Sequence, residues 1–147
     1  MDEDSIRQYI EDTFAGVDVV EASGNYFFFY DPDHKFPFAT LTTSDEDDQA
    51  SNLSRPSVFR LNIGVSKQTF QSLFGPGSTP SDKAGKEGGY DFTALDCIMP
   101  HPVYGKMYWV CVLNPSAATF KKVQELLAEA YDMAVRKRAK TSQADDA

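Results

Sequence analysis

The chain's hydrophobic period changes partway through Val58–Gly75, and that change restricts the folds open to it. Over Val58-Phe59-Arg60-Leu61-Asn62-Ile63-Gly64-Val65 the pattern alternates, with Phe59, Leu61, Ile63 and Val65 on one side and Arg60 and Asn62 on the other. That is a strand with a core face and a polar face. Ser66 then suits an N-cap, Thr69, Phe70, Leu73 and Phe74 recur at helical spacing, and Gly75 offers a left-handed stop. A strand turning directly into a helix needs a sheet beside it and a helix layer above it.

Both neighbours are legible in the rest of the chain. Ser5 to Phe14 reads as a helix with Ile6, Tyr9, Ile10 and Phe14 along one stripe, acidic residues in its first turn and Gly16 after its end. Val17 to Ala22 and Tyr26 to Tyr30 are strand-like runs around Ser23-Gly24-Asn25, a three-residue hairpin loop, and Asp31-Pro32-Asp33-His34 turns the chain again. Phe38 to Thr43 completes a meander. Met107 to Leu113 is apolar on both sides and suits an internal strand. Ser116 opens a long closing helix whose stripe is Phe120, Val123, Leu127, Ala130, Tyr131, Ala134 and Val135. The expected architecture is a single α+β domain over residues 1–140: an antiparallel sheet of about five strands, helices mainly on one face, a flexible insertion at 75–89 and a disordered tail at 141–147. The insertion holds five glycines and two prolines with little apolar content, and Lys83 and Lys86 mark it for tryptic cleavage.

Charge narrows the function classes. The net charge is -8, and residues 1–48 carry 13 acidic against 2 basic side chains. Such a surface repels phosphate backbones, so nucleic acid is an unfavoured partner. Asp45-Glu46-Asp47-Asp48 reads as solvated charge without calcium-loop spacing, and Arg136-Lys137-Arg138-Ala139-Lys140 as a helix end that suits cations. The acidic start lacks the basic region of a secretory signal, no apolar run approaches the ~20 residues that span a bilayer, and a cytoplasmic protein is the expectation. Cys97 and Cys111 are expected to be free thiols. Two cysteines and two histidines without CxxC spacing indicate no metal site, and nothing indicates a cofactor. Gly85-Lys86 is no phosphate loop, since Glu87 follows where Ser or Thr is needed.

Four motifs carry a family likeness. Phe36–Leu41, Phe59–Val65, Met99–Gly105 and Trp109–Pro115 resemble an uncharacterised bacterial family catalogued as a domain of unknown function (number 6194), over roughly residues 1–140. More distantly, Trp109-Val110-Cys111-Val112 and Leu126–Lys137 are similar to the ending of the MmcQ/YjbR family. The second resemblance implies a compact α+β fold and a DNA-binding role; the first implies no particular activity.

Three functional readings follow from the residues. The first is a binding domain whose second sheet face carries Tyr26, Phe28, Tyr30, Arg60 and Asn62. There Arg60 and Asn62, joined by His101, Tyr104 and Lys106 from the proline-bounded entry to the Trp109 strand, would form a shallow site for a small anionic ligand or a partner protein. The structural account of the same residues pairs Arg60 with Asp31 or Asp96, bonds Asn62 to a loop backbone and uses the aromatics to fill a second small core. The second reading is an enzyme in which His101 works with Cys97 or His34. The third is a nucleic-acid binder stacking bases on aromatic strands.

Overall fold

A computed structural model describes residues 2–30, 36–44, 49–75 and 91–146, with side chains through Lys137. The order of elements is α1 (Glu3–Thr13), β1 (Asp18–Ala22), β2 (Asn25–Phe29), β3 (Ala39–Thr42), β4 (Arg60–Gly64), α2 (Lys67–Phe74), β5 (Met99–Pro100), β6 (Trp109–Leu113) and α3 (Ala117–Asp146). The fold is α+β. One antiparallel sheet holds six strands in the order β1-β2-β3-β4-β6-β5. The added strand is β5, two residues that pair Met99 with Cys111 and Pro100 with Val110. Its shortness and its proline hid it from periodicity and keep that sheet edge from extending. Helix α3 runs to Asp146, through the residues read from sequence as a tail.

Local chemistry fixes the element ends. Asp2 caps α1 by accepting from Ser5 N–H at 2.8 Å, and Ser66 caps α2 by accepting from Thr69 N–H at 3.1 Å. Gly75 ends α2 at φ 107° and ψ 151°, a positive-φ turn outside the left-handed helical region expected for it. The β1–β2 turn is tighter than the sequence suggested: Ala22 pairs with Asn25, leaving Ser23 and Gly24, both at positive φ, as a two-residue loop of the kind that matches strand twist. Asn25 is held in the sheet because its Oδ1 accepts from Thr43 N–H at 2.9 Å.

Helices α1 and α3 cover one face of the sheet. Ile6, Ile10 and Phe14 of α1 and Phe120, Val123, Leu126, Leu127 and Ala130 of α3 bury Phe28, Leu41, Leu61, Ile63, Val110 and Val112, while α2 adds Phe70. Glu129 of α3 ties α2 down, accepting from the Ser66 hydroxyl at 3.2 Å and the Thr69 hydroxyl at 2.5 Å.

Among the described residues no α-helix packs over the opposite face, and that face is divided. At the Leu113 end, Leu53 and Phe92 close over Met99, Cys111 and Leu113 as a second, smaller core. Arg55 staples the two covering segments together, donating to Ser51 O at 3.0 Å and Thr93 O at 2.9 Å. At the Gly64 end the face is a cleft. The aromatics expected on this face need correction: Phe28 lies in the main core, Tyr26 packs against that core, and Tyr30 stacks edge-on with Tyr131 of α3. Phe27 lines the cleft instead, with Phe29 stacked beside it. Five consecutive aromatics from Tyr26 to Tyr30 offer no polar alternation, so the sequence left the strand's parity undetermined, and a slip of one residue exchanges the two faces.

Candidate functional site

Strands β3 and β4 pair Thr42 with Arg60 and Thr40 with Asn62, which lines four polar side chains along the helix-free face. Asn62 is the hub. Its Oδ1 accepts from Arg60 Nε at 2.8 Å, and its Nδ2 donates to the hydroxyls of Thr40 and Thr42, each at 2.9 Å. Arg60 also donates from a terminal nitrogen to the Ser51 hydroxyl at 3.0 Å. Arg60 and Asn62 are each 1% exposed, so this is a buried polar ladder in which the guanidinium is oriented from both sides. Of the acidic partners anticipated for Arg60, Asp96 is otherwise engaged: it accepts from Ser116 N–H at 2.7 Å at the start of α3. Asp31 lies outside the described residues.

Strand β6 brings Trp109 opposite Gly64. A Cβ built on Gly64 would stand 2.9 Å from Trp109 Cε2 and 3.1 Å from both Cζ2 and Nε1. Three adjacent indole atoms nearly equidistant from one point place that point over the ring face, so the indole lies across Gly64 and any larger residue would push it away. The β5–β6 connection is tied internally: His101 N–H donates to Trp109 O, Gly105 N–H to His101 O and Tyr108 N–H to Gly105 O, with a 3-10 turn at Gly105–Met107 and Tyr108 in the left-handed conformation. His101 is buried, and its Nδ1 accepts from the backbone N–H groups of Val103 and Tyr104, both at 3.0 Å. The neutral ring therefore carries its proton on Nε2.

These elements enclose a cleft of about 900 Å³ that passes from the polar ladder over the end of β3 and β4 onto α3. Arg60, Asn62, His101, Tyr104 and Trp109 all line it. Lys106, the sixth residue expected there, is on the 3-10 turn, is exposed and does not line the cleft. Cys97 does not line it either; it is an exposed free thiol in the approach to β5, whereas Cys111 is buried in the sheet. His34 lies outside the described residues. Among the described residues no three His, Cys, Asp or Glu side chains gather as metal ligands, and no helix is long and apolar enough to cross a membrane.

Several contributors escaped sequence reasoning. Thr40 and Thr42 share the parity of Asn62 and Arg60 on the neighbouring strand, but their register could not be known beforehand. Gly64 carried a faint signal, a glycine inside a strand, which marks close approach of something else. Phe36, Val103, Met107 and Met133, four of the exposed large hydrophobic side chains, line the cleft beside the expected Tyr104. Lys137 joins them from α3, its ammonium 4.1 Å from the Phe36 ring centroid.

Fold and cleft together define a small α+β domain with a preformed, mixed apolar and polar depression on its helix-free sheet face. The chain belongs to the family of unknown function DUF6194, whose model matches residues 1–143. No curated protein and no solved structure matches it.

Proposed function

We propose that the domain binds a small organic anion in the cleft between the β3–β4 polar ladder and Trp109. The observation that carries this is convergence. Residues from β4, β5's connection, β6 and α3 meet at one depression of about 900 Å³, a size that suits a small ligand. Its described lining includes the basic side chains Arg60 and Lys137 beside apolar ones. A planar guanidinium bordering such a recess has the geometry that suits a carboxylate or phosphate group. Asn62 serves as a positioning residue, because its amide is already committed to Arg60 and the two threonines.

Trp109 is the chain's one tryptophan, so its fluorescence reports on this cleft alone. Titration with 2-naphthoate and with the neutral 2-naphthamide, followed by calorimetry and by Trp109 emission, tests the reading. Binding of the carboxylate at least about tenfold tighter than the amide, a difference of roughly 1.4 kcal/mol, is the expected result, weakening as salt is added. Equal affinities, or no carboxylate binding at millimolar concentration, would refute it.

A protein partner at the same place is the second reading, favoured by the exposed Phe36, Met107 and Met133 around the cleft. DNA binding, the role implied by MmcQ/YjbR resemblance, draws less support: Arg136, in the basic cluster, is paired with Asp132 one turn earlier on α3.

A further inference from the structure

The β5–β6 connection is held by a histidine where a turn of this kind ordinarily uses an oxygen. His101 Nδ1 accepts from the backbone N–H groups of both Val103 and Tyr104 at 3.0 Å, two and three residues ahead, which is the pattern of an Asx turn or a helix cap. Asn, Asp, Ser or Thr supplies such an acceptor throughout the range around neutrality. An imidazole supplies it only while Nδ1 is unprotonated, and imidazole is the side chain whose ordinary charge change falls between about pH 5 and pH 8. A proton on Nδ1 would set one donor against two others around a ring that is 5% exposed, so the bonds and the protonated ring cannot coexist.

These two bonds stand at the root of the segment that walls the cleft, where Val103, Tyr104 and Met107 all line it. From there the bonding is continuous. His101 O accepts from Gly105 N–H at 3.0 Å, Tyr104 O accepts from Met107 N–H at 2.9 Å and from Trp109 N–H at 3.3 Å, and His101 N–H donates to Trp109 O at 2.9 Å. The described titratable and charged groups around the ring are Tyr104, whose ring centroid lies 5.0 Å away, Lys106 on the same connection, the Cys111 thiol bonded to Pro100 O, and Arg60 of β4 and Lys137 of α3 in the lining of the cleft.

We infer that His101 is a protonation-sensitive latch for the β5–β6 connection: the neutral imidazole holds Val103, Tyr104 and Met107 in place as the rim of the cleft, and protonation at Nδ1 releases them. Both bonds favour the neutral ring, so the latch is complete at high pH and is lost as pH falls through the value at which the folded ring takes up its proton. The latch acts on the wall of the cleft whatever ligand the cleft takes.

Ring-nitrogen and backbone-amide NMR between about pH 8 and pH 5 reads the latch directly. In the parent chain Nδ1 should pass from its unprotonated to its protonated nitrogen shift, the Val103 and Tyr104 amide protons should move upfield with the same midpoint, and the emission of Trp109, the chain's one tryptophan, should follow. His101→Asn places Oδ1 as many bonds from Cα as Nδ1 and does not titrate, so both amides should keep their downfield positions throughout. His101→Ala should show at about pH 8 the amide shifts that the parent reaches at about pH 5; where circular dichroism finds it unfolded, the parent and His101→Asn decide. Amides that stay fixed in the parent down to about pH 5, amides that move in His101→Asn as far as in the parent, or a folded His101→Ala with the parent's high-pH shifts would each overturn the latch.

Discussion

Replacing Asn62 by Ala removes the hub of the polar ladder, and the cost can be worked from its bonds. One bond goes to the charged Arg60 Nε at 2.8 Å and two go to the Thr40 and Thr42 hydroxyls at 2.9 Å. A bond to a charged group contributes about 1.5–3 kcal/mol and each neutral one about 0.5–1.5, so the sum is roughly 2.5–6 kcal/mol. Water entering from the adjoining cleft can replace part of this, and we expect a loss of about 3 kcal/mol. For a chain of this size that corresponds to a fall in Tm of roughly 6–12 °C. Asn62→Asp separates hydrogen bonding from shape. Its carboxylate accepts from Arg60 as before, and both threonine hydroxyls can rotate from acceptor to donor, so stability near neutral pH should recover to within about 1 kcal/mol of the parent. Because that carboxylate's pKa would be depressed in the folded state beside the guanidinium, the recovered stability would be present above the ordinary aspartate range and lost as pH falls through the lower folded value. Urea unfolding with an unchanged m-value measures each quantity. An Asn62→Ala loss below about 1 kcal/mol, or an Asp variant no better than Ala, would show that the ladder is incidental to the fold.

Glu129→Gln should destabilise by about 1–2 kcal/mol through its bonds to Ser66 and Thr69, and faster amide exchange confined to α2 would identify the cause. Asp96 is held below its ordinary pKa chiefly by the Ser116 N–H bond, then by Thr119; its contribution is therefore complete above the unfolded value near 3.8 and disappears as pH falls through the lower folded value, so Asp96→Asn should be less stable than the parent near neutral pH and the gap should close in acid, as read by urea unfolding at several pH values. Ser23→Asn should raise stability by a few tenths of a kcal/mol, roughly 0.3, since Ser23 sits at φ 53° in a two-residue turn that favours Asn; a decrease in Tm would contradict the turn assignment.

The elements most legible in the sequence were those whose periodicity and caps agreed. Arg60 and Asn62 alternate cleanly with Phe59, Leu61 and Ile63, and the assignment of faces in β4 followed from that alone. Ser66, Gly75 and Ser116 likewise marked real helix ends. What the sequence withheld was parity and register. The aromatic run Tyr26 to Tyr30 has no polar member to show which side faces the helices, and Phe27 took the place expected of Tyr26 and Phe28. The candidate site was visible as an idea, Arg60 and Asn62 meeting a proline-bounded segment, but its closure depends on two facts that no local pattern encodes: Thr40 and Thr42 falling opposite Asn62 and Arg60, and Trp109 falling opposite Gly64. Lys106 is exposed on the 3-10 turn at Gly105–Met107 and stands outside the cleft that Tyr104 lines.

The pairing of Gly64 with Trp109 also has a kinetic meaning. Strands β1, β2 and β3 are neighbours in sequence and in the sheet, so their contacts close short loops, whereas β4 and β6 meet only after residues 65–108 have been brought into a closed loop. The entropy of that closure grows with the logarithm of its length, about 0.6 kcal/mol for each doubling, so the connection can lengthen or shorten at little thermodynamic expense while the order of events stays the same. On loop-closure grounds the meander is expected to assemble first and the Trp109 strand to dock late, which would make the cleft a product of the final steps of folding. A chain arrested before β6 docks would hold much of its local secondary structure and no cleft.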